Sequence, residues 1–202
     1  MKPFVSVKGK AFYLPLDNID TDQLIPARFM SRTRSQGYGA YLLHDLRRDS
    51  AGRLLSDFPL NGVDERDFLV VGANFGCGSS REAAVYALQD AGIRAVIGLG
   101  FADIFRSNAQ KNGLLPVELS ATDHARLCAH LVAAPDAELE VDLTRCCVET
   151  GTDVFAFQID PGAQRKLLNG LDEITDTLEN KEKISTFTKR YREEFPWIFA
   201  TQ

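Results

Sequence analysis

Residues 68–88, FLVVGANFGCGSSREAAVYAL, constrain the fold more than any other stretch. Four consecutive apolar residues, Phe68, Leu69, Val70 and Val71, run into a glycine-containing polar turn and then into a helical pattern with Ala84, Tyr86, Ala87 and Leu88. An apolar run without alternation is what a strand shows when both of its faces are covered. In the turn, Gly76 and Gly78 allow backbone conformations closed to other residues and let a ligand approach the main chain. Ser79, Ser80, Arg81 and Glu82 crowd the start of the following helix, where unpaired N–H groups point outward. Those N–H groups and the Arg81 fork together suit an anionic substrate. A Gly-Ser segment that merely caps a helix fits the same residues.

The chain after this turn predicts an α/β fold, with a partly parallel central sheet flanked by helices. Residues 93–99, apolar except for Arg94, follow a helix, as the second parallel strand of a βαβ unit would. Residues 101–110 predict a helix that ends at Asn112 and Gly113, and residues 114–119 a strand that Pro116 confines to an edge or bulge. Residues 121–133 predict a helix capped by Ser120. Residues 138–148 alternate as a strand, and Phe155, Phe157 and Ile159 alternate again beyond the turn at 149–153, predicting a hairpin. A helix then runs from Pro161 to Asn169 and stops at Gly170. The charged tail, 171–202, carries Ile184, Phe187 and Tyr191 at helical spacing and predicts an amphipathic helix packed on this domain or on a partner. Before the turn, residues 3–16 predict a strand pair or one kinked strand.

Two regions ahead of the turn carry polar chemistry. Asp20 and Asp22 flank Thr21 in an acidic turn suited to capping a helix, binding a cation or orienting a basic group. Residues 28–53 hold Arg28, Arg32, Arg34, Arg47, Arg48 and Arg53 among glycines, with Tyr38, Tyr41, Leu42, Leu43 and Leu46 between them. This mixture predicts a mobile loop followed by a short helix over 40–48.

A net charge of −5 argues against nucleic acid and anionic lipid as partners, and obliges any site for an anion to gather arginines locally. No apolar run approaches the ~20 residues of a membrane span, and the first residues lack the apolar segment of a secretory leader, so the cytoplasm is the expected compartment. Cys77, Cys128, Cys146 and Cys147 show no CxxC spacing, which predicts reduced thiols and no metal or iron–sulfur cluster on this chain. His124 and Cys128 share a helix face but lack further ligands. Gly76-Cys77-Gly78 after a strand suggests a nucleotide module only weakly, since the third Rossmann glycine is missing.

The segment Asn74 to Glu82, NFGCGSSRE, resembles the signature of the aconitase superfamily. With residues 18–26, 101–105, Asn108, 113–116 and 169–172, the chain as a whole is similar to the small subunits of bacterial 3-isopropylmalate dehydratases. The resemblance implies one swivelling β/β/α domain of the aconitase C-terminal type over 1–202, with 28–53 as a substrate-recognition loop and 171–202 as a helical C-terminal extension. It implies a hydro-lyase subunit, active only with a large subunit that carries a [4Fe–4S] cluster, acting on a small dicarboxylate. Carried over by position, Ser79 is the base, Arg81 the carboxylate clamp and Asp22 a support at the edge of the site. Ser80, Arg34, Gly78 and Thr21 are substrate-binding, while Asp103 and Asn108 contact substrate or serve as scaffold.

One position departs from the pattern: the signature continues with histidine where this chain has Ala83. That departure leaves open the substituent on the malate, with methyl- or dimethyl-malate as alternatives to isopropylmalate, and also a noncatalytic regulatory subunit.

Overall fold

A computed structural model describes residues 1–31, 33–62 and 66–199. Arg32 of the basic stretch and the last three residues of the C-terminal extension lie outside the described residues. Strand β1 (Ser6–Leu14) joins two kinds of sheet: Ala11 to Leu14 pair parallel with β2 (Phe68–Val71), while Ser6 to Lys10 pair antiparallel with β5 (Glu138–Asp142). One strand forms rather than a strand pair. The partner changes at Lys10 while the strand continues.

Beyond β2 lie β3 (Ala95–Gly98) and β4 (Leu115–Glu118), both parallel, and beyond β5 lie β6 (Cys147–Glu149) and β7 (Val154–Ala156), both antiparallel. The result is one seven-stranded sheet, β4-β3-β2-β1-β5-β6-β7, with Pro116 on its edge strand. The α/β class is therefore correct. The expected strand over 138–148 is instead broken, because Cys146 takes a left-handed conformation (φ 53°) that turns the chain between β5 and β6. The turn at 149–153 thus joins β6, not β5, to β7.

Side-chain alternation explains why both faces are covered. In β2, Leu69 and Val71 point into one apolar cluster with Leu14 and Val96, while Phe68 and Val70 point into a second with Ile97 and Val117. Helices α1 (Thr21–Leu24), α2 (Glu82–Asp90) and α3 (Asp103–Asn112) cover the first cluster. Helices α4 (Ala121–Ala133) and α5 (Pro161–Asn169) cover the second through Leu127, Leu131 and Leu167. Their ends follow the expected signals: Ser120 caps α4, and Gly113 and Gly170 close α3 and α5 in left-handed conformations. On α4, His124 Nε2 lies 2.6 Å from the Val71 carbonyl, so this histidine is bonded within the core.

No helix forms over 40–48. Single 3₁₀ turns stand at Arg34–Gln36 and Gly39–Tyr41, and Leu43, with φ 52°, cannot continue a right-handed helix. Its N–H instead bonds the Leu24 carbonyl at 3.0 Å. The tail forms two helices rather than one, α6 (Glu173–Leu178) and α7 (Lys181–Glu194). Among the described residues no helix is long and apolar enough to cross a membrane.

Candidate active site

The polar turns after β1 and β2 lie at the C-terminal ends of neighbouring parallel strands, where open α/β sheets gather ligands. They are zipped together beyond the sheet. Asn18 N–H bonds Ala73 O at 2.9 Å, Gly76 N–H bonds Ile19 O at 2.7 Å, and Thr21 N–H bonds Cys77 O at 2.9 Å. Asn18 and Asn74 both adopt φ 55°, and the Asn74 amide donates to Asn18 Oδ1 at 2.8 Å. Sequence reasoning did not assign this pair, although asparagine is among the few residues that enter the left-handed region readily.

Gly76 is required twice over. Its φ is 75°, and a Cβ there would lie 2.3 Å from Phe105 Cγ. Phe105 packs edge-on against buried Phe75 at 5.2 Å, so the turn rests on an aromatic floor. Gly78, at φ 93°, then redirects the chain outward.

Ser79 and Ser80 are exposed. The Ser79 N–H donates to Thr21 Oγ1 at 3.1 Å, and the Ser79 carbonyl accepts from the Arg81 N–H at 2.8 Å. Thr21 is only 1% exposed, so its hydroxyl braces Ser79 from below, in a positioning contact that the sequence reading did not foresee. Asp20 caps α1 through a reciprocal box: its carboxylate accepts the Gln23 N–H at 2.7 Å while Gln23 Oε1 accepts the Asp20 N–H at 2.9 Å. Asp22, on the same short helix, forms an ion pair with Arg81.

That pair is asymmetric: the Arg81 side chain is 20% exposed and that of Asp22 56%. Hydrogen bonding to Arg81, assisted by its charge, holds the Asp22 carboxyl below its ordinary range. Only one guanidinium nitrogen, Nη1, engages Asp22 in this contact, so donors remain for a second carboxylate. Arg81 also precedes α2 as its N-cap residue without a side-chain cap bond, leaving main-chain donors at that helix start. The arrangement offers an exposed hydroxyl, an oriented cation and N–H groups on one side of the molecule.

Six of the expected site residues, Thr21, Asp22, Gly78, Ser79, Ser80 and Arg81, lie on these two neighbouring segments. Arg34 stands apart. Its guanidinium stacks 3.7 Å above the Tyr86 ring and reaches Gln89 Oε1 at 3.3 Å. Those partners lie five and eight positions beyond Arg81, roughly 8–12 Å along α2. Ala83 is buried in the first apolar cluster, so the position that departs from the signature contributes packing here. Asp103 stands in the first turn of α3, and the Asn108 carbonyl accepts from Asn112.

The cysteines do not form a cluster site. Cys77 stands on the turn, Cys128 on α4, and Cys146 and Cys147 at the β5–β6 turn. Among the described residues no three metal-ligating side chains converge.

Comparisons with known proteins agree with one another. The aconitase C-terminal domain model matches residues 1–122 and LeuD_N matches 125–161, while the model for the C-terminal domain of the 3-isopropylmalate dehydratase small subunit matches 173–201. The 3-isopropylmalate dehydratase small subunit of Bacillus cereus is 42% identical over 194 residues, covering 94% of this chain and 98% of the relative. That of Paramagnetospirillum magneticum is 41% identical over 202 residues, covering 98% and 100%. A crystal structure of 3-isopropylmalate dehydratase from Methanocaldococcus jannaschii superposes with TM-score 0.65 at 29% identity, covering 91% of this chain and 99% of that one.

Proposed function

The chain belongs to the family of 3-isopropylmalate dehydratase small subunits, and on that premise we propose that it is the small subunit of a cytoplasmic hydro-lyase of leucine biosynthesis. With a large subunit it interconverts 2-isopropylmalate and 3-isopropylmalate through isopropylmaleate. The observation that carries this reading is the braced turn, with Ser79 presented to solvent beside the Asp22–Arg81 pair. As one half of a site, it needs a second surface to exclude water and complete the chemistry.

In dehydration, a C–H bond beside a carboxylate breaks and its electron pair forms the double bond as hydroxide leaves the adjacent carbon; rehydration reverses this with the carbons exchanged. Ser79 Oγ takes the proton and returns it. A serine oxyanion is a strong base that requires stabilisation, and the start of α2 and the Arg81 cation lie beside it in sequence. Arg81 clamps a substrate carboxylate with the donors that Asp22 leaves free, and Asp22 fixes its direction. Ser80 donates to the substrate, Gly78 lets it approach the main chain, and Thr21 holds Ser79 in place. Arg34, on the loop over 28–53, swings from α2 to meet the substrate's branched end. A [4Fe–4S] cluster on the large subunit would supply the Lewis-acid chemistry that a departing hydroxyl needs.

Full-length relatives at 40–42% identity bearing this name favour isopropylmalate over smaller malates despite Ala83. The test is anaerobic: the chain is mixed with its cluster-bearing large subunit and isopropylmaleate is followed by ultraviolet absorbance. Turnover of isopropylmalate supports the assignment. A stable complex that turns over only methyl- or dimethyl-malate, or nothing, overturns it.

A further inference from the structure

At the opposite end of α2 from Arg81, a cavity of about 440 Å³ opens beside the C-terminal end of α3 and the start of the chain. Its walls carry Lys2, Arg34, Arg94 and Lys111 against one carboxylate, Asp172. Four cations lining one cavity make a local excess of positive charge in a chain of net charge −5, and such an excess attracts anions.

Their protein partners offset little. Asp172 is committed to capping α6, accepting from the Thr175 N–H at 2.8 Å and its hydroxyl at 2.9 Å. Lys111, itself half-exposed, has an exposed partner, Glu173, at 3.2 Å. Arg94 gives one long bond, 3.4 Å, to the Pro3 carbonyl, and Arg34 is held by a ring face and one amide oxygen. Among the described residues Lys2 has neither a hydrogen bond nor an ion pair. Most of the donors of two planar guanidinium forks and two ammonium groups therefore remain for a ligand. The volume lies within the range of small-molecule sites.

The geometry points to a second anion site in this cavity, one that takes a small multivalent oxyanion, carboxylate or phosphate, and whose occupant holds Arg34 against α2. The second half rests on the reading of Arg34 as a substrate contact. A substrate that draws Arg34 toward Ser79 and an anion that keeps it at Tyr86 are then negatively coupled, each weakening the other by the same factor.

Isothermal titration calorimetry of the full chain with inorganic pyrophosphate at low ionic strength tests the site without a large subunit. The expected result is one equivalent bound, weakening with added salt. Affinity should fall roughly tenfold in a Lys2→Gln/Lys111→Gln double variant and stay unchanged in Arg81→Gln. Both lysines are exposed, so the double variant folds. Absence of binding overturns the site, as does binding that survives the double variant but disappears in Arg81→Gln. In the assembled enzyme, pyrophosphate should raise KM in the wild type and not in the double variant. If Arg34→Ala raises KM while pyrophosphate binds and leaves KM unmoved, the coupling is wrong. If Arg34→Ala leaves KM unchanged, the substrate role of Arg34 fails while the calorimetric site stands.

Discussion

The turn over 74–82 and the excursion over 27–61 both send residues into the first apolar cluster, Phe75 from the one and Leu42, Leu43 and Leu60 from the other, but they differ in how the rest of each is held. The turn is fixed by its main chain: bridges join Cys77 to Asp20 and Phe75 to Phe101, and residues 74, 76 and 78 all take positive φ. The excursion has few main-chain ties to the core, among them the Leu43 N–H to the Leu24 carbonyl, and its charged side chains supply further ones. Arg28 donates to Asp45 at 2.9 Å, and Arg47 reaches Asn61 Oδ1 at 2.7 Å and the Leu60 carbonyl at 3.2 Å. Main-chain bracing, helped by the buried Thr21 hydroxyl, places the backbone of Ser79 and Arg81, whereas ties between exposed side chains such as Arg28 and Asp45 can be exchanged for others. A group that must not move belongs on the first, and one that must reach a variable substituent belongs on the second.

Glycine substitutions give the largest contrast. Gly76→Ala should cost about 2–4 kcal/mol in urea unfolding, since it adds a clash with Phe105 to an unfavourable φ. Gly37→Ala, at the same φ of 75° but with nothing within 4 Å of its Cβ, should cost about 1 kcal/mol. Equal costs would mean that the turn is no tighter than the excursion.

Arg47→Met removes the half-buried anchor of the excursion and leaves Asn61 and the Leu60 carbonyl without that donor. A loss of about 2 kcal/mol is expected, with amide exchange accelerating over 41–61 and unchanged over 74–82. Acceleration in both segments would couple the two regions and remove the contrast between them.

The smallest effect lies in acid. Arg28, with His44, depresses the Asp45 carboxyl to about 2, and Arg81 depresses that of Asp22. A depressed folded-state pKa gives stability that is complete above the ordinary value of 3.8 and is lost as pH falls through the folded one. Asp45→Asn and Asp22→Asn should therefore each lower the urea midpoint at pH ~6, and the difference from wild type should shrink as pH falls from about 4 toward 2. A difference that grows on acidification contradicts both pairs.

Much of the fold was legible because local signals and burial agree. The unbroken Phe68-Val71 run, the Ser120 cap, and Gly113 and Gly170 after their helices each name one element or end, and the structure places them there. Where a tertiary contact competes with a local pattern, the pattern misleads. Leu42, Leu43 and Leu46 carry helical spacing, yet the Leu43 N–H is taken by Leu24 and the helix does not form. Cys146 sits in an alternating run whose break depends on its own backbone conformation. The neighbouring turns of Ser79 and Asp22 follow from a parallel β1–β2 pair, but the bracing hydroxyl of Thr21 and the distant stacking of Arg34 on Tyr86 depend on packing that no spacing encodes.

The role of Ser79 as base is tested most directly by the turnover of Ser79→Ala in the assembled enzyme, with complex formation checked by sedimentation. Ser79 is exposed and is tied to Thr21 and Arg81 through its main chain, so the variant should fold and assemble as the wild type does. A base that acts only in the transition state predicts kcat reduced by roughly 10³-fold or more with KM little changed. An assembled variant with wild-type kcat would contradict Ser79 as the base.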